Sequence, residues 1–373
     1  MTEHGTLLKD SVSDFVARRM SVARVRALRN TTAEYDRALW KEIAALGWLG
    51  ICIPEQYGGM SLGLAEAAVV AEGLARVVAP EPFTASTMLA AGTLVSCEND
   101  PINRELLPAF VSGERVLALA WQERAGALDP NDVATHATPF EGGFRLSGRK
   151  RYVMGAAGAD TYVVSARDES TLVLACVDRN APGMSLELDA LADGRHFGSL
   201  ELQDVVVPRE RVAASGEAAV SALSRAIDQA AVIASAELYG VMSRALEMSI
   251  EYMKTRVQFG HPIGSFQALQ HRAVDLYIQQ QLASAVLEEG LRALDAQPAA
   301  RERSAIASRV KARCSEAGVR LTREAIQIHG AIGFTDEYDA GLYLKRALVL
   351  AAWLGNAVQH RRRYAALTVK ADA

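Results

Sequence analysis

The sequence lacks the features that mark secreted, membrane and nucleic-acid-binding proteins. Its four cysteines are scattered without a CxxC pair, which favours free thiols in a reducing compartment over disulfides or a zinc site. No apolar run approaches the roughly 20 residues of a membrane span, and the polar start does not resemble a signal peptide. A net charge of −4 and a pI of about 6.0 argue against nucleic-acid binding. We therefore expect a cytoplasmic protein without nucleic-acid or membrane partners.

Common catalytic and nucleotide-binding motifs are also missing. The sequence contains neither a GxGxxG fingerprint after a strand nor a P-loop, which excludes a Rossmann interpretation. No serine lies in a nucleophile elbow. Histidines and aspartates are too dispersed to predict a metal site, so we expect no metal.

What is present divides the 373-residue chain into three regions. Residues 1–112 have helical apolar spacing, as in "LAEAAVVAEGLARVV". Residues 113–215 contain short β-rich runs with period-two alternation between turns. In residues 216–373 the helical period returns in about four long helices, and strong apolarity over 226–250 predicts a helix buried on most sides. The pattern predicts an α+β protein with an N-terminal helical domain, a middle antiparallel β domain and a C-terminal four-helix bundle.

One helix connection carries unusual side chains. The stretch "RVQFGHPIGSFQ", Arg256 to Gln267, combines a fixed cation, amides, aromatic rings and two glycines. Such a set suits a large, polar and partly planar ligand. A plain turn whose Phe259 fills the core is the alternative, and this segment alone leaves both open. A second basic run, "HRRRY", is interpreted as a solvent-facing end of a helix.

Four segments, in order along essentially the whole chain, resemble the acyl-CoA dehydrogenase family. They are "LGWLGICIPEQYGGMSLGLAEAAVVAEGLAR", "LSGRKRYVMGAAGADTYVVSAR", "TRVQFGHPIGSFQALQHRAVDLY" and "QIHGAIGFTDEY". The resemblance implies the fold of that family, an acyl-CoA substrate, FAD as cofactor and electron-transferring flavoprotein as the electron acceptor.

The resemblance also implies a cofactor site shared between subunits. Arg256 would pair with the pyrophosphate of a neighbour's FAD, with Gln258 and Phe259 beside the cofactor. The adenosine end would be lined by Gln267, Gln327, Gly330 and Ala331. Guanidinium forks suit pyrophosphate, and glycine lets backbone N–H groups approach it. We therefore expect an oligomer.

The sequence departs from the family at the catalytic base. One family position for the glutamate is occupied by Leu354, and the second, on the first helix of the C-terminal region, by Ala230. The nearby carboxylates, Asp228 and Glu237, are weak candidates for a base. We interpret them instead as a helix-surface aspartate and a glutamate paired with an arginine.

The positions that contact the flavin ring in the family are altered as well. Gln122 and Leu128 replace a threonine and a serine whose hydroxyls contact the isoalloxazine. Tyr152 and Met154 stand in a strand that is Trp-Ile-Thr in the family, and a methionine cannot donate a hydrogen bond to the ring.

Together these departures resemble the small or degenerate chains of bacterial heteromeric members, of the pimeloyl-CoA dehydrogenase small-subunit or steroid side-chain type. The resemblance implies a hetero-oligomer, a tetramer with a homologous partner, acting on a bulky acyl chain. Two alternatives remain. One is a self-sufficient homo-oligomer with a relocated base, and the other is a structural or binding homologue without redox chemistry.

Overall fold

The computed structural model describes residues 3–29, 31 and 35–369. The elements follow the predicted order of helices, strands and helices, which confirms the α+β fold class. The N-terminal helices of the described chain, together with a π-helix at Thr84–Ala91, are α1 (Glu3–Arg19), α2 (Val22–Leu28), α3 (Arg37–Ala45), α4 (Leu64–Ala75), α5 (Gly92–Cys97) and α6 (Asp100–Val111).

Capping side chains determine where several helices begin. The carboxylate of Asp36 accepts a hydrogen bond from Ala38 N at 2.8 Å before α3. The amide oxygen of Asn99 accepts one from Ile102 N at 3.3 Å before α6. Each cap satisfies a backbone donor that has no partner inside the helix.

The β region forms one twisted sheet with the order β6-β7-β3-β2-β4-β5-β8. Most pairs are antiparallel, as predicted, but β1 and β2 each pair in parallel with β4. Parallel strands need a long connection, and the chain segment that contains β2 and β3 provides it between β1 and β4. The strands are β1 (Leu117–Ala120), β2 (His136–Phe140), β3 (Gly143–Met154), β4 (Thr161–Asp168), β5 (Thr171–Asp178), β6 (Met184–Ala190), β7 (His196–Pro208) and β8 (Val212–Ser215).

Burial along the strands explains the sheet order. β4 and β5 each contain six consecutive buried residues, as expected for strands covered on both faces. The edge strand β6 is largely exposed and carries acidic side chains, which discourage pairing with another chain.

Three long and two shorter helices make up the C-terminal region. The prediction of a helix buried on most sides is confirmed for α7, since most of its residues from Ala226 to Ser249 are buried. The elements are α7 (Gly216–Thr255), β9 (Val257–Gln258), β10 (His261–Pro262), α8 (Gln267–Asp295), α9 (Ala300–His329), α10 (Ala340–Ala352) and α11 (Ala357–Thr368).

The chain packs as two compact units. The first contains Met1–Arg26, Ala68–Ala79 and Ala231–Ala373, and the second contains Ala27–Ala67 and Pro80–Ala230. These units divide the chain differently from the three domains predicted from the sequence, whose bounds stay a prediction. Among the helices in the described residues, none is both long and apolar enough to cross a membrane.

Candidate functional site

The turn between β9 and β10 presents the side chains that the sequence singled out. Gln258 pairs with His261, and the two residues between them, Phe259 and Gly260, have φ values of 55° and 81°. Two consecutive positive φ values are typical of tight hairpin turns, but they are strained for a bulky aromatic residue. The Phe259 side chain is 90% exposed. The alternative interpretation, in which Phe259 fills the core, is therefore wrong.

Backbone bonds hold this turn to the end of α7. Arg256 N donates to Tyr252 O at 2.8 Å, and Ile263 N donates to Arg256 O at 2.8 Å. Ile263 is buried, whereas the Arg256 side chain is exposed. The turn therefore has a fixed backbone and offers its cation to solvent.

The "QIHGA" segment is brought close to the same turn by an aromatic cluster. The rings of Tyr252 and His329 lie 4.6 Å apart, and His329 Nε2 lies 2.9 Å from the hydroxyl of Tyr338. Tyr252 lies one helical turn before Arg256, and His329 lies between Gln327 and Gly330. The cluster thus connects two of the segments assigned to a cofactor.

The protonation of His329 follows from its surroundings. Burial lowers the pKa of this imidazole, so the ring is neutral near pH 7. Its Nδ1–H donates to Ala325 O at 2.7 Å, which leaves Nε2 to accept from the Tyr338 hydroxyl. The sequence analysis missed this cluster. The available signal was the spacing of Tyr252, one turn from Arg256, and of Tyr338 after the second motif.

The remaining residues assigned to the adenosine end are open to solvent. Gln267, Gln327 and Ala331 are exposed, and Gly330, partly exposed, has a φ of 64°. That positive φ suits glycine at the end of α9.

One face of α8 is apolar and exposed. Its side chains, spaced at i, i+3, i+4 and i+8, are 46–55% exposed, which is unusual for four neighbouring apolar residues on a soluble monomer. We call this set the α8 stripe: Val274, Tyr277, Ile278 and Leu282. It begins two helical turns after Phe266, whose ring packs edge-on against Phe259 at 6.3 Å.

In the other unit, the positions assigned to the flavin ring use their polar groups internally. The side-chain nitrogen of Gln122 donates to Ala127 O at 2.8 Å and so holds its own loop. Met154 is buried, and Tyr152, with a φ of 58°, packs edge-on against Phe197. These side chains are better placed for packing than for donating hydrogen bonds to a ring.

A buried ion pair supports the loop that follows Gln122. Lys150 Nζ, fully buried, lies 2.6 Å from Glu123 Oε1 and donates to Ser165 Oγ at 3.0 Å. The Glu123 carboxylate also accepts from Ala134 N and Thr135 N. Burial lowers the pKa of Lys150 to about 8, and Lys150, against the effect of burial, lowers the pKa of Glu123. Glu123 and Lys150 thus hold the loop in place, although two residues of the loop differ from those that the family resemblance assigns to ring contacts.

Both positions assigned to the catalytic base are apolar and buried. Leu354 is 1% exposed in the connection between α10 and α11, and Ala230 is fully buried in α7. Asp228 is also fully buried, so its interpretation as a helix-surface residue is wrong. The charge of Asp228 favoured a surface position, although the apolar stretch 226–250 that contains it predicted a helix buried on most sides. Glu237 pairs with Arg346 at 2.6 Å, as its interpretation required.

Comparison with known proteins decides the family. An acyl-CoA dehydrogenase N-terminal domain model matches residues 2–114, and a C-terminal domain model matches residues 220–367. Acyl-CoA dehydrogenase IpdE2 of Mycolicibacterium smegmatis is 30% identical over 364 residues, covering 97% of this chain and 98% of that protein. This chain belongs to the acyl-CoA dehydrogenase family. As a member it is an oxidoreductase with FAD as its cofactor.

Solved structures of acyl-CoA dehydrogenases have the same fold. A variant of the steroid ACAD Tcur3481-Tcur3483 is 31% identical with a TM-score of 0.88, over 98% of this chain and 97% of that one. The ChsE4-ChsE5 complex from Mycobacterium tuberculosis is 26% identical with a TM-score of 0.90, over 100% and 99% of the two chains.

A buried lysine lies beneath the turn at Leu354, one of the two positions assigned to the catalytic base. Lys311 Nζ donates to Leu350 O at 2.8 Å, Ser315 Oγ at 3.1 Å and Gly355 O at 3.2 Å. Burial lowers its pKa to about 7. Lys311 thereby ties α9 to both ends of the Leu354 turn, a role that no sequence motif indicated.

A buried histidine holds the same turn from the other side. The Nε2–H of His360 donates to Leu354 O at 2.7 Å, and burial lowers the pKa of His360 to about 3, so the ring is neutral. The interpretation of "HRRRY" as a solvent-facing helix end is wrong for this residue. The helix begins only at Ala357, behind a capping box formed by Asn356 and Gln359, which places His360 in its first half and in the core.

Lys311 is expected to make stability depend on pH. Its pKa is about 7 when folded but near 10.4 when unfolded, so between these values the unfolded chain binds one more proton. Stability therefore rises with pH across this window, by up to about 1.4 kcal/mol per pH unit. Urea unfolding at pH 7–9 should show this slope as the difference between the wild type and Lys311→Met. Parallel curves for the two proteins would contradict the prediction.

Proposed function

We propose that this chain is one subunit of a hetero-oligomeric acyl-CoA dehydrogenase. It completes the FAD site of a homologous partner, and the partner supplies the catalytic carboxylate. The observation that carries the proposal is the contrast within the chain. The Arg256 turn is exposed and held by backbone hydrogen bonds, whereas both positions assigned to the base are buried and apolar.

The exposed turn fits the phosphate side of the cofactor. A guanidinium on a fixed backbone can make two parallel hydrogen bonds to a pyrophosphate, and Gly260 leaves room for close approach. Phe259 would lie beside the cofactor instead of in its own core. Such a site needs a second chain to cover it, and the α8 stripe offers an apolar face for one.

The relatives support a partner of the same family. Two of the matching structures carry the names of paired proteins, ChsE4-ChsE5 and Tcur3481-Tcur3483. A partner with the same fold would present an equivalent turn and equivalent helices, so the two chains could associate by similar faces.

The residues assigned to the flavin ring fit the cofactor less well than the Arg256 turn does. When bound, FAD supplies the acceptor for the hydride that leaves the β carbon of the acyl group. In this chain Gln122 holds its own loop and Met154 cannot donate a hydrogen bond. The reaction also needs a carboxylate to take the α proton, and Leu354 and Ala230 cannot act as bases.

The substrate and acceptor are part of the proposal. The name of one matching structure includes a steroid ACAD, which favours a bulky acyl-CoA over a short chain as the substrate. Electron-transferring flavoprotein is the proposed acceptor, and a tetramer with two copies of each chain is the proposed assembly.

Flavin stoichiometry tests the central claim. Purified alone, this chain should contain little FAD, because its own ring contacts are altered. Co-purified with a homologous chain that has the glutamate, it should form a yellow complex with fewer flavins than chains. Flavin absorbance against protein concentration, with mass determination of the complex, gives the ratio. One tightly held FAD per chain in a homo-oligomer would instead support the self-sufficient alternative.

Substituting the remaining carboxylates tests where the base lies. Asp228→Asn and Glu237→Gln, made singly, should each lower turnover of the complex by less than about ten-fold, whereas removing a true base typically costs about 10²–10⁴-fold. The assay is flavin bleaching by an acyl-CoA in anaerobic stopped flow, with flavin content as the control. Loss of bleaching with flavin still bound would place the base in this chain.

A further inference from the structure

The segment between α9 and α10 has little packing to hold it in place. It follows Gln327 and contains Gly330 and Ala331, which are assigned to the adenosine end of the cofactor. From Ala331 to Glu337, every residue except Gly333 is exposed. A segment with few buried contacts opens easily, so its position depends on the polar groups that bind it. A well-defined cofactor contact therefore needs such groups.

One such group comes from the other end of the chain. Arg26 in α2 donates through Nε to Asp336 O at 3.1 Å, and its Nη1 forms an ion pair with the carboxylate of Asp339. The two acceptors are 310 and 313 residues away in sequence. Asp339 immediately precedes α10. One planar guanidinium thus holds both a backbone carbonyl and a side chain at the end of the exposed segment.

The same end of the segment also contacts the helix that carries the Arg256 turn. Tyr338 lies between the two residues that Arg26 binds, and its hydroxyl donates to His329 Nε2 at 2.9 Å. The Tyr338 ring lies 4.6 Å from the ring of His329 and, edge-on, 6.3 Å from the ring of Tyr252. The backbone of Tyr252 in turn accepts the hydrogen bond from Arg256 N. A continuous series of contacts therefore joins Arg26 to the Arg256 turn.

We propose that Arg26 is a positioning residue for the FAD that this chain shares with its partner. It acts through the segment after α9, so that Gln327, Gly330 and Ala331 meet the adenosine half of the cofactor while Arg256 meets the pyrophosphate. This inference rests on the proposed function and adds a residue from the N-terminal region to its cofactor site. Since the contacts of Arg26 serve the adenosine half, they govern the affinity for FAD and leave the chemistry at the flavin ring unchanged.

The test compares cofactor binding by flavin-free complexes that contain the wild-type chain or a variant. Arg26→Met removes both contacts, and Arg26→Lys is a milder change that cannot bind both acceptors in one plane. Arg309→Met is the matched control, because Arg309 forms an ion pair with Glu289 whose side chains are 39% and 48% exposed. Arg309 lies in α9, about five helical turns before Gln327. Each complex is titrated with FAD and with FMN, which lacks the adenosine half.

Arg26→Met should weaken FAD binding about 5–10-fold, because the adenosine contacts lose the group that holds them in place. Arg26→Lys should lose part of this affinity, and Arg309→Met should bind FAD as the wild type does. The affinity for FMN should be the same in every complex. At saturating FAD, the rate of flavin bleaching by an acyl-CoA should not change.

Hydrogen exchange gives a measurement that needs no cofactor. Mass spectrometry of the flavin-free complexes reports the exchange of peptides that cover residues 330–339. Exchange there should be faster in Arg26→Met than in the wild type, because the segment opens more often without its arginine. Arg309→Met should leave it unchanged.

Three results would overturn the inference. They are wild-type affinity for FAD in Arg26→Met, a loss of FMN affinity as large as the loss of FAD affinity, or unchanged exchange over residues 330–339. If Arg26→Met does not assemble with the partner, wild-type affinity for FAD in Arg26→Lys has the same meaning. The proposed function fails separately, if the wild-type complex binds no FAD or if Arg256→Ala binds it as tightly as the wild type.

Discussion

Replacing Arg346 with methionine is expected to lower the free energy of unfolding by about 3–5 kcal/mol. Arg346 in α10 and Glu237 in α7 form an ion pair at 2.6 Å, with side chains only 3% and 12% exposed. Removing the arginine leaves a carboxylate in a site that excludes most solvent. The cost is therefore that of a buried carboxylate that has lost its arginine, which is larger than the loss of one hydrogen bond between neutral groups. Urea unfolding of the wild type and Arg346→Met at pH 7 gives the difference.

A double-mutant cycle separates this explanation from a simple loss of packing. Glu237→Gln/Arg346→Met removes both charges, so it should be more stable than Arg346→Met alone. The exposed pair Arg104–Asp100, with side chains 60% and 52% exposed, provides the control. Arg104→Met should change stability little, because exposed ion pairs contribute little. Additive effects of the Arg346 and Glu237 substitutions would contradict a coupled buried pair.

Replacing Arg256 with alanine is expected to lower the FAD occupancy of the assembled complex about ten-fold or more. The side chain of Arg256 is exposed, so its replacement should leave folding intact. In the complex it would remove charge-assisted hydrogen bonds to the pyrophosphate. Flavin retained after extensive dialysis, with circular dichroism as a folding check, measures the effect.

Two further variants control for charge alone. Arg256→Lys should restore only part of the occupancy, because an ammonium cannot make the planar bidentate contact. Arg292→Ala, at an exposed arginine in the last turn of α8, should leave occupancy unchanged. Unchanged flavin content in the Arg256→Ala complex would mean that the turn is structural and that the shared-site proposal is wrong.

Much of the fold could be predicted from local pattern. Short β-rich runs between turns located the strands of the β region, and strong apolarity over residues 226–250 identified α7 as a buried helix. The pairing of strands was harder to predict from the sequence. The parallel contact of β1 with β4 joins segments about forty residues apart, which no local period encodes.

At the candidate site, local sequence pattern was also insufficient to predict whether a single residue is exposed or buried. The sequence identified Arg256 and Phe259 as unusual, but their exposure depends on how the hairpin is anchored to Tyr252. Asp228 was assigned to a surface on account of its charge, but it lies in the core of the helix that the surrounding apolar residues predicted to be buried. Glu237, by contrast, was correctly expected to form an ion pair with an arginine.

The sequence by itself determined the family, the order of helices and strands, and the apolar residues at the two positions assigned to the base. These follow from residue types in consecutive segments. Only the tertiary structure decided which groups become hydrogen-bond partners of the polar side chains. It joined Lys311 and His360 to the backbone of the Leu354 turn and brought Tyr252 against His329. The physical reason is that a polar group's partners and burial are set by chain segments distant in sequence, which meet only when the core is packed.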